Sequence, residues 1–289
     1  TIPMNLVITN IPGPPVSLYL RGARFLRVFP YVEVIDNEGL TIAVVSYDDQ
    51  LHFGITSDRD VIPDLGAVAA SIEHEFAVLV TDYRNGLVVL DIDSGQVRPY
   101  LERRNSERFK GVNDLVFDSR GNLYFTDQGQ TGLHDPTGRV YRLGPDGRLD
   151  MLLSNVPSPN GIVLSKDERF LFVAATRGNC VWRMPLLADG SVSKAGQFFT
   201  SYGPSGPDGL AMDDSGRLLV ANPGLAYVWV LSPRAEPEEV LTGPAGASVT
   251  NLAFGGPDRK TVFCTDSTHG HILRADMAVA GCPLPRATS

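Results

Sequence analysis

The sequence predicts an all-β protein, a β-propeller, from three observations. One pattern returns at a nearly fixed interval. Val112-Asn113-Asp114-Leu115, Pro159-Asn160-Gly161-Ile162, Pro207-Asp208-Gly209-Leu210 and Thr250-Asn251-Leu252 align on Asn113, Asn160, Asp208 and Asn251, at spacings of 47, 48 and 43 residues. Periods of this length mark propellers or solenoids. Each unit also continues in the same way, through a polar turn and short alternating strands bounded by Gly, Asp and Pro. The composition agrees: 29 Gly and 21 Pro among 289 residues make the chain turn-rich without taking it into the disordered range.

The elements follow in order. Residues 1–75 form an atypical N-terminal segment, and residues 76–289 form the blades. Residues 64–78 read as an amphipathic helix, with Leu65, Val68, Ile72, Phe76 and Leu79 on one face. Residues 76–82, 86–91 and 97–101 read as strands of a partial unit. In each full unit a polar turn (118–121, 165–168 or 214–216) precedes a β-rich run: Leu123-Tyr124-Phe125-Thr126, Phe170-Leu171-Phe172-Val173, Leu218-Leu219-Val220 or Thr261-Val262-Phe263. A third strand carries Tyr141, Trp182 or Trp229, and the two tryptophans fall at equivalent positions that predict packing between blades. A fourth, more polar strand often closes the unit, as in residues 149–153. Four strands per period describe a blade, and about four and a half blades fit between residue 76 and the end. The charged stretch 100–110 reads as a solvated loop, and residues 12–15 as a rigid turn.

Blade geometry predicts where function sits. The first strand of each blade lines the central channel, so Asn113, Asn160, Asp208 and Asn251 should converge at one end of it. A second ring is expected at the end of the next strand, from Asp127, Thr176 or Arg177, Asn222 and Asp266. Asn and Asp singly open turns, but four in register favour a cation site. Carboxylate and amide oxygens suit a hard divalent ion, Ca²⁺ before Mg²⁺, Mn²⁺ or Zn²⁺. His269 and His271, close to Asp266, fall in a blade-end turn and read as turn residues rather than ligands.

The net charge of −8, without basic blocks, excludes nucleic acid and anionic membranes as main partners. No apolar run approaches a membrane span. Three cysteines without a CxxC pair, no N-x-S/T sequon and no leader at Thr1 predict reduced thiols and a cytoplasmic location.

Several stretches resemble the SMP-30/gluconolactonase/luciferin-regenerating-enzyme family. They are Phe109-Lys110-Gly111-Val112-Asn113-Asp114-Leu115, Gly121-Asn122-Leu123-Tyr124-Phe125-Thr126-Asp127, Pro157-Ser158-Pro159-Asn160-Gly161 and Gly206-Pro207-Asp208-Gly209-Leu210. The likeness covers residues 77–285. It implies a six-bladed propeller holding one divalent cation, usually Ca²⁺, and hydrolysis of lactones. It further implies Asn160 and Asp208 as metal ligands, Asn113 beside metal and substrate, and Asp208 as general base as well. The second-ring residues Asp127, Arg177, Asn222 and Asp266, read from the blade geometry, are the further substrate-side candidates. Water activated at a carboxylate needs no covalent nucleophile, and the sequence has neither a G-x-S-x-G elbow nor an HExxH motif.

One family feature is missing. The first-blade metal Glu, in an E-G-P motif, has no counterpart, because Glu38-Gly39 is followed by Leu40. Residues 1–75 are instead similar to the C-terminal end of wax ester synthase/diacylglycerol acyltransferases. The run Asn5-Leu6-Val7-Ile8-Thr9-Asn10-Ile11-Pro12-Gly13-Pro14 is similar to their S-N-V-P-G-P motif, and Ser46-Tyr47, residues 51–55, Asp58-Arg59 and residues 61–64 continue it. The HHxxxDG motif of those enzymes is absent, so acyl transfer is not implied. The chain thus reads as a fusion, natural or engineered, or as a propeller in which N-terminal strands or a homodimer partner close the blades. Two functional classes fit: a metal-dependent hydrolase of lactones or related esters, and a non-catalytic propeller that binds a ligand or partner. A fourth ligand from Glu33, Glu38, Glu73 or Glu75 would favour the first.

Overall fold

The computed structural model describes residues 6–12, 18–25, 28, 30–31, 40–47, 50–57, 77–91 and 94–283. Residues 64–76 of the expected helix, and Glu33, Glu38, Glu73 and Glu75, lie outside them. Val78 and Leu79, assigned to that helix, belong instead to the strand Ala77–Asp82. Its β-branched, alternating run Ala-Val-Leu-Val-Thr suits a pleated surface.

The chain divides into two compact units, residues 1–80, 87–101 and 255–257, and residues 81–86, 102–254 and 258–289. In the first unit, Leu6–Pro12 runs parallel to Leu40–Tyr47, which pairs antiparallel with Gln50–Ser57. A blade is an antiparallel meander of consecutive strands, so this sheet is not built as one. Thr41, Ala43 and Tyr47 alternate onto its buried face. The Tyr47 hydroxyl accepts the Leu18 N–H at 2.7 Å and donates to the Phe25 carbonyl at 3.0 Å.

Five successive sheets carry the blade pattern. The first comprises Ala77–Asp82, Gly86–Asp91 and Val97–Leu101. Three full blades follow, each pairing its strands in chain order. They are Val112–Phe117, Leu123–Asp127, Gly138–Leu143 and Leu149–Val156; then Pro159–Leu164, Phe170–Ala175, Cys180–Pro185 and Gly196–Thr200; then Leu210–Met212, Leu218–Asn222, Tyr227–Leu231 and Pro237–Thr242. The fifth has Val249–Gly255, Thr261–Asp266 and His271–Asp276. The resemblance implied six blades; the described residues hold five, the last without an outer strand. Within residues 100–110, Arg103–Arg104 and Glu107–Arg108 form a small hairpin rather than an open loop, and Arg139 grips it through Glu107 at 2.8 Å.

In the three full blades both faces of the second strand are buried, which explains its near-continuous apolar run. Leu171, Val173 and Ala175 pack toward the preceding blade with Tyr124, Val140 and Val156. The alternate residues Phe172 and Ala174 pack toward the next, with Leu210, Met212, Val220 and Trp229. Trp229 sits in that core, and Trp182 packs against the preceding one. In the second unit the C-terminal segment returns along the inner strand Leu210–Met212, where the Cys282 N–H donates to the Met212 carbonyl at 2.9 Å and Asp213 bridges to Gly281.

Candidate active site

The site is built at the N-terminal ends of the inner strands, and one hydroxyl device positions them. The Thr126 hydroxyl, at the end of a second strand, donates to the Asn160 carbonyl of the next blade at 2.7 Å. Thr81 does the same for Asn113, and Thr176 for Pro207, each at 2.7 Å. This equivalence makes Ala77–Asp82 the second strand of its blade, and the cross-strand pairs Leu115–Phe125, Ile162–Val173 and Leu210–Val220 put Asn113, Asn160 and Asp208 at corresponding positions two residues earlier. The backbone there is crowded. A Cβ on Gly161 would collide with the Asp208 carbonyl oxygen, so the Gly of the Asn160-Gly161 pair is what lets adjacent inner strands meet closely.

Asn160 is buried and its side chain hydrogen-bonds Asp208. Asp208 is half-buried at the surface of this recess yet enclosed by protein. Burial pushes its carboxyl up to about 7, the Asp114 charge adds to the rise, and the Asn160 bond opposes it. Burial likewise raises Asp114 to about 6, against N–H donors from Ile162 and Leu115. Those bonds, 3.0 and 2.8 Å, leave the Asp114 carboxylate spanning two inner strands. Among the described residues neither acid pairs with a Lys or Arg. The Asn113 amide donates to Gln128 Oε1 at 3.1 Å, and Gln128 in turn donates to the Ser158 hydroxyl at 2.9 Å.

The recurring Asn/Asp pattern does not point to Asp114 as a site residue. The readable signal is that it stands where the other two units have Gly161 and Gly209. Asn251 is corrected by the same register. It aligns with Asp114 rather than Asn113, because Thr250 occupies the ring position; its Oδ1 accepts the Leu252 N–H at 2.8 Å, as Asp114 does from Leu115.

The expected second ring does not line the recess as drawn. Asp127 is fully buried: Oδ1 accepts the N–H groups of Lys110 and Gly111 at 2.6 and 2.8 Å, and Oδ2 meets Arg139 at 2.7 Å. Both oxygens have structural partners and the side chain is buried, which sets it apart from a substrate-facing acid. Asp266 is buried and held by the N–H groups of Ser248 and Thr268. Asn222 is buried, its amide donating to the Tyr202 carbonyl at 3.4 Å while Oδ1 has no partner among the described residues. Arg177 alone is exposed, standing on the 3₁₀ turn Thr176–Gly178 and donating to the Thr131 carbonyl and Gln130 Oε1 at 2.9 and 3.1 Å.

The SMP-30/gluconolactonase/LRE-like family model matches residues 36–268. The chain belongs to that family. A gluconolactonase of Zymomonas mobilis is 32% identical over 54% of the chain and 48% of its own length. The lactonase drp35 of Staphylococcus aureus is 38% identical over 44% of the chain and 40% of its own. The family member described here therefore spans about half the length of these curated relatives. A solved structure described as a calcium-binding regucalcin from Agrobacterium tumefaciens superposes with a TM-score of 0.61 at 25% identity, over 72% of the chain and 75% of that protein. A divalent cation fits the donors present. The facing carboxyls of Asp114 and Asp208 and the Asn160 amide come together with no cationic side chain to neutralise them among the described residues, and their oxygens are hard donors. No helix among the described residues is long and apolar enough to cross a membrane.

Proposed function

We propose that the chain is a metal-dependent hydrolase of lactones or related esters, with its centre at Asn113, Asn160 and Asp208. The observation that carries this reading is the paired, uncompensated acids Asp114 and Asp208 beside Asn160, in a family whose relatives are named lactonases. Asn160 and Asp208 would hold the cation, Ca²⁺ by its preference for oxygen donors, with Asn113 alongside. A cation bound there supplies Lewis acidity toward the substrate carbonyl.

The chain's own groups do the rest. Asp208 takes a proton from water as the water oxygen bonds to the carbonyl carbon. The ring C–O bond then breaks, and the proton passes to the departing oxygen, giving a hydroxy acid. Asn113, held by Gln128, presents its amide to the substrate, and exposed Arg177 contacts it from the rim. Asp114 fixes the neighbouring inner strand through Ile162. A reducing, cytoplasmic setting suits the three free cysteines, of which Cys180 and Cys264 are buried.

The test is hydrolysis of γ- and δ-lactones with Ca²⁺ or EDTA, for the wild-type chain and Asp208→Ala. Activity removed by EDTA and by the substitution is the expected result. A folded chain inert with every divalent ion would overturn it and favour a binding role.

A further inference from the structure

We infer that the fifth blade carries a second cation site, formed by His269, His271 and Asp266 and suited to a nitrogen-seeking transition metal such as Zn²⁺. It stands independently of the hydrolase reading and uses none of its residues.

Three features place it. Asp266 and His271 are the terminal cross-strand pair of the ladder Thr261–Asp266 with His271–Asp276, so their side chains emerge together. The turn between them carries His269, and one ligand atom from each of the three residues lies within 4.8 Å of the others. The two imidazoles are stacked, with centroids 5.7 Å apart and planes at 19°. Both are exposed, so the rings can close the remaining distance onto a metal with bonds of about 2.0–2.1 Å.

Asp266 supplies the rigid part. Its side chain is fully buried, Oδ1 accepts the Ser248 and Thr268 N–H groups at 2.9 and 3.0 Å, and Oδ2 lies 2.6 Å from His269 Nδ1. With a carboxylate oxygen 2.6 Å from Nδ1, His269 offers its Nε2 lone pair to an outside cation. That is the carboxylate–histidine–metal relation, in which the acid orients the ring and raises its basicity. His271 supplies a second nitrogen, and water completes the shell. Imidazole donors favour Zn²⁺, Ni²⁺ or Cu²⁺ over Ca²⁺, so this site and the all-oxygen group at Asp208 should sort different ions. Occupation would staple the turn 267–270 to the end of its ladder.

The experiment is a Zn²⁺ titration by calorimetry of chelator-stripped, untagged protein, comparing wild type, His269→Ala, His271→Ala and Asp208→Asn. Both histidines are exposed, so their removal spares the fold. A saturable Zn²⁺ class that weakens at least about tenfold in each histidine variant, survives Asp208→Asn and ignores excess Ca²⁺ is expected. Unchanged Zn²⁺ affinity in the histidine variants, no saturable Zn²⁺ binding, or loss in Asp208→Asn alone would overturn the assignment.

Discussion

Two sets of aspartates sit near the same end of the blades and differ in their company. Asp127 and Asp266, at the ends of second strands, have their oxygens taken up by backbone N–H groups and by a side chain, Arg139 or His269. Asp208 and Asp114, on the inner strands, face each other with no cationic side chain among the described residues, and burial drives both carboxyls upward. The saturated acids hold strands together. The inner pair has no countercharge among the described residues, although Asp114 accepts two backbone N–H groups, and it is held at a cost in stability, which marks it for something besides the fold.

The sharpest way to break this contrast is to exchange the consequences. Asp127→Ala should cost about 3–5 kcal/mol, because buried Arg139 and two N–H groups lose their partner; urea unfolding measures it. Asp208→Asn should leave the metal-free chain as stable as wild type or more so, since it removes a poorly solvated charge, while lowering lactone turnover about 100-fold or more. If the two substitutions destabilise equally, the distinction fails.

pH sharpens the same comparison. The inner acids bind a proton more tightly in the folded chain than their ordinary 3.8, so unfolding releases protons. Their contribution is present below that value and is lost as pH rises through about 6 and about 7. Thermal melts of metal-free protein should therefore show stability falling across this window, with a shallower fall in Asp208→Asn. Asp266, held down to about 2, has the opposite sign: its contribution is present above the ordinary 3.8 and fades only as pH drops toward 2. The smallest effect is expected from Asn251→Ala, which removes one local hydrogen bond worth about 1 kcal/mol and leaves lactone turnover alone.

Much of this was legible in the chain. The blade period, the strand runs and the Asn113, Asn160, Asp208 series are local patterns, and local patterns survive in a linear text. Asn251 sits one position past the ring because Thr250-Asn251 lacks the glycine that follows Asn160 and Asp208, and a one-residue slip in a strand exchanges faces. Asp127 and Asp266 looked like site residues because their spacing is regular. What removes them is the direction of partners such as Arg139 and the Ser248 N–H, set by tertiary packing and invisible to spacing. The parallel pairing of Leu6–Pro12 with Leu40–Tyr47 was equally hidden, since the strand between which it must choose is named only by the folded chain.

The threonine ties bear on how such proteins can be recombined. Thr81, Thr126 and Thr176 each fasten the inner strand of the following blade, so the backbone presenting a site residue is placed by its neighbour. A whole blade cut from a relative would arrive without the hydroxyl that sets its own inner strand. The transplantable module is offset: it begins at the second strand of one blade and ends with the inner strand of the next. Chimeras joined at that offset boundary carry donor and acceptor together, whereas chimeras joined between blades must match both partners at every seam.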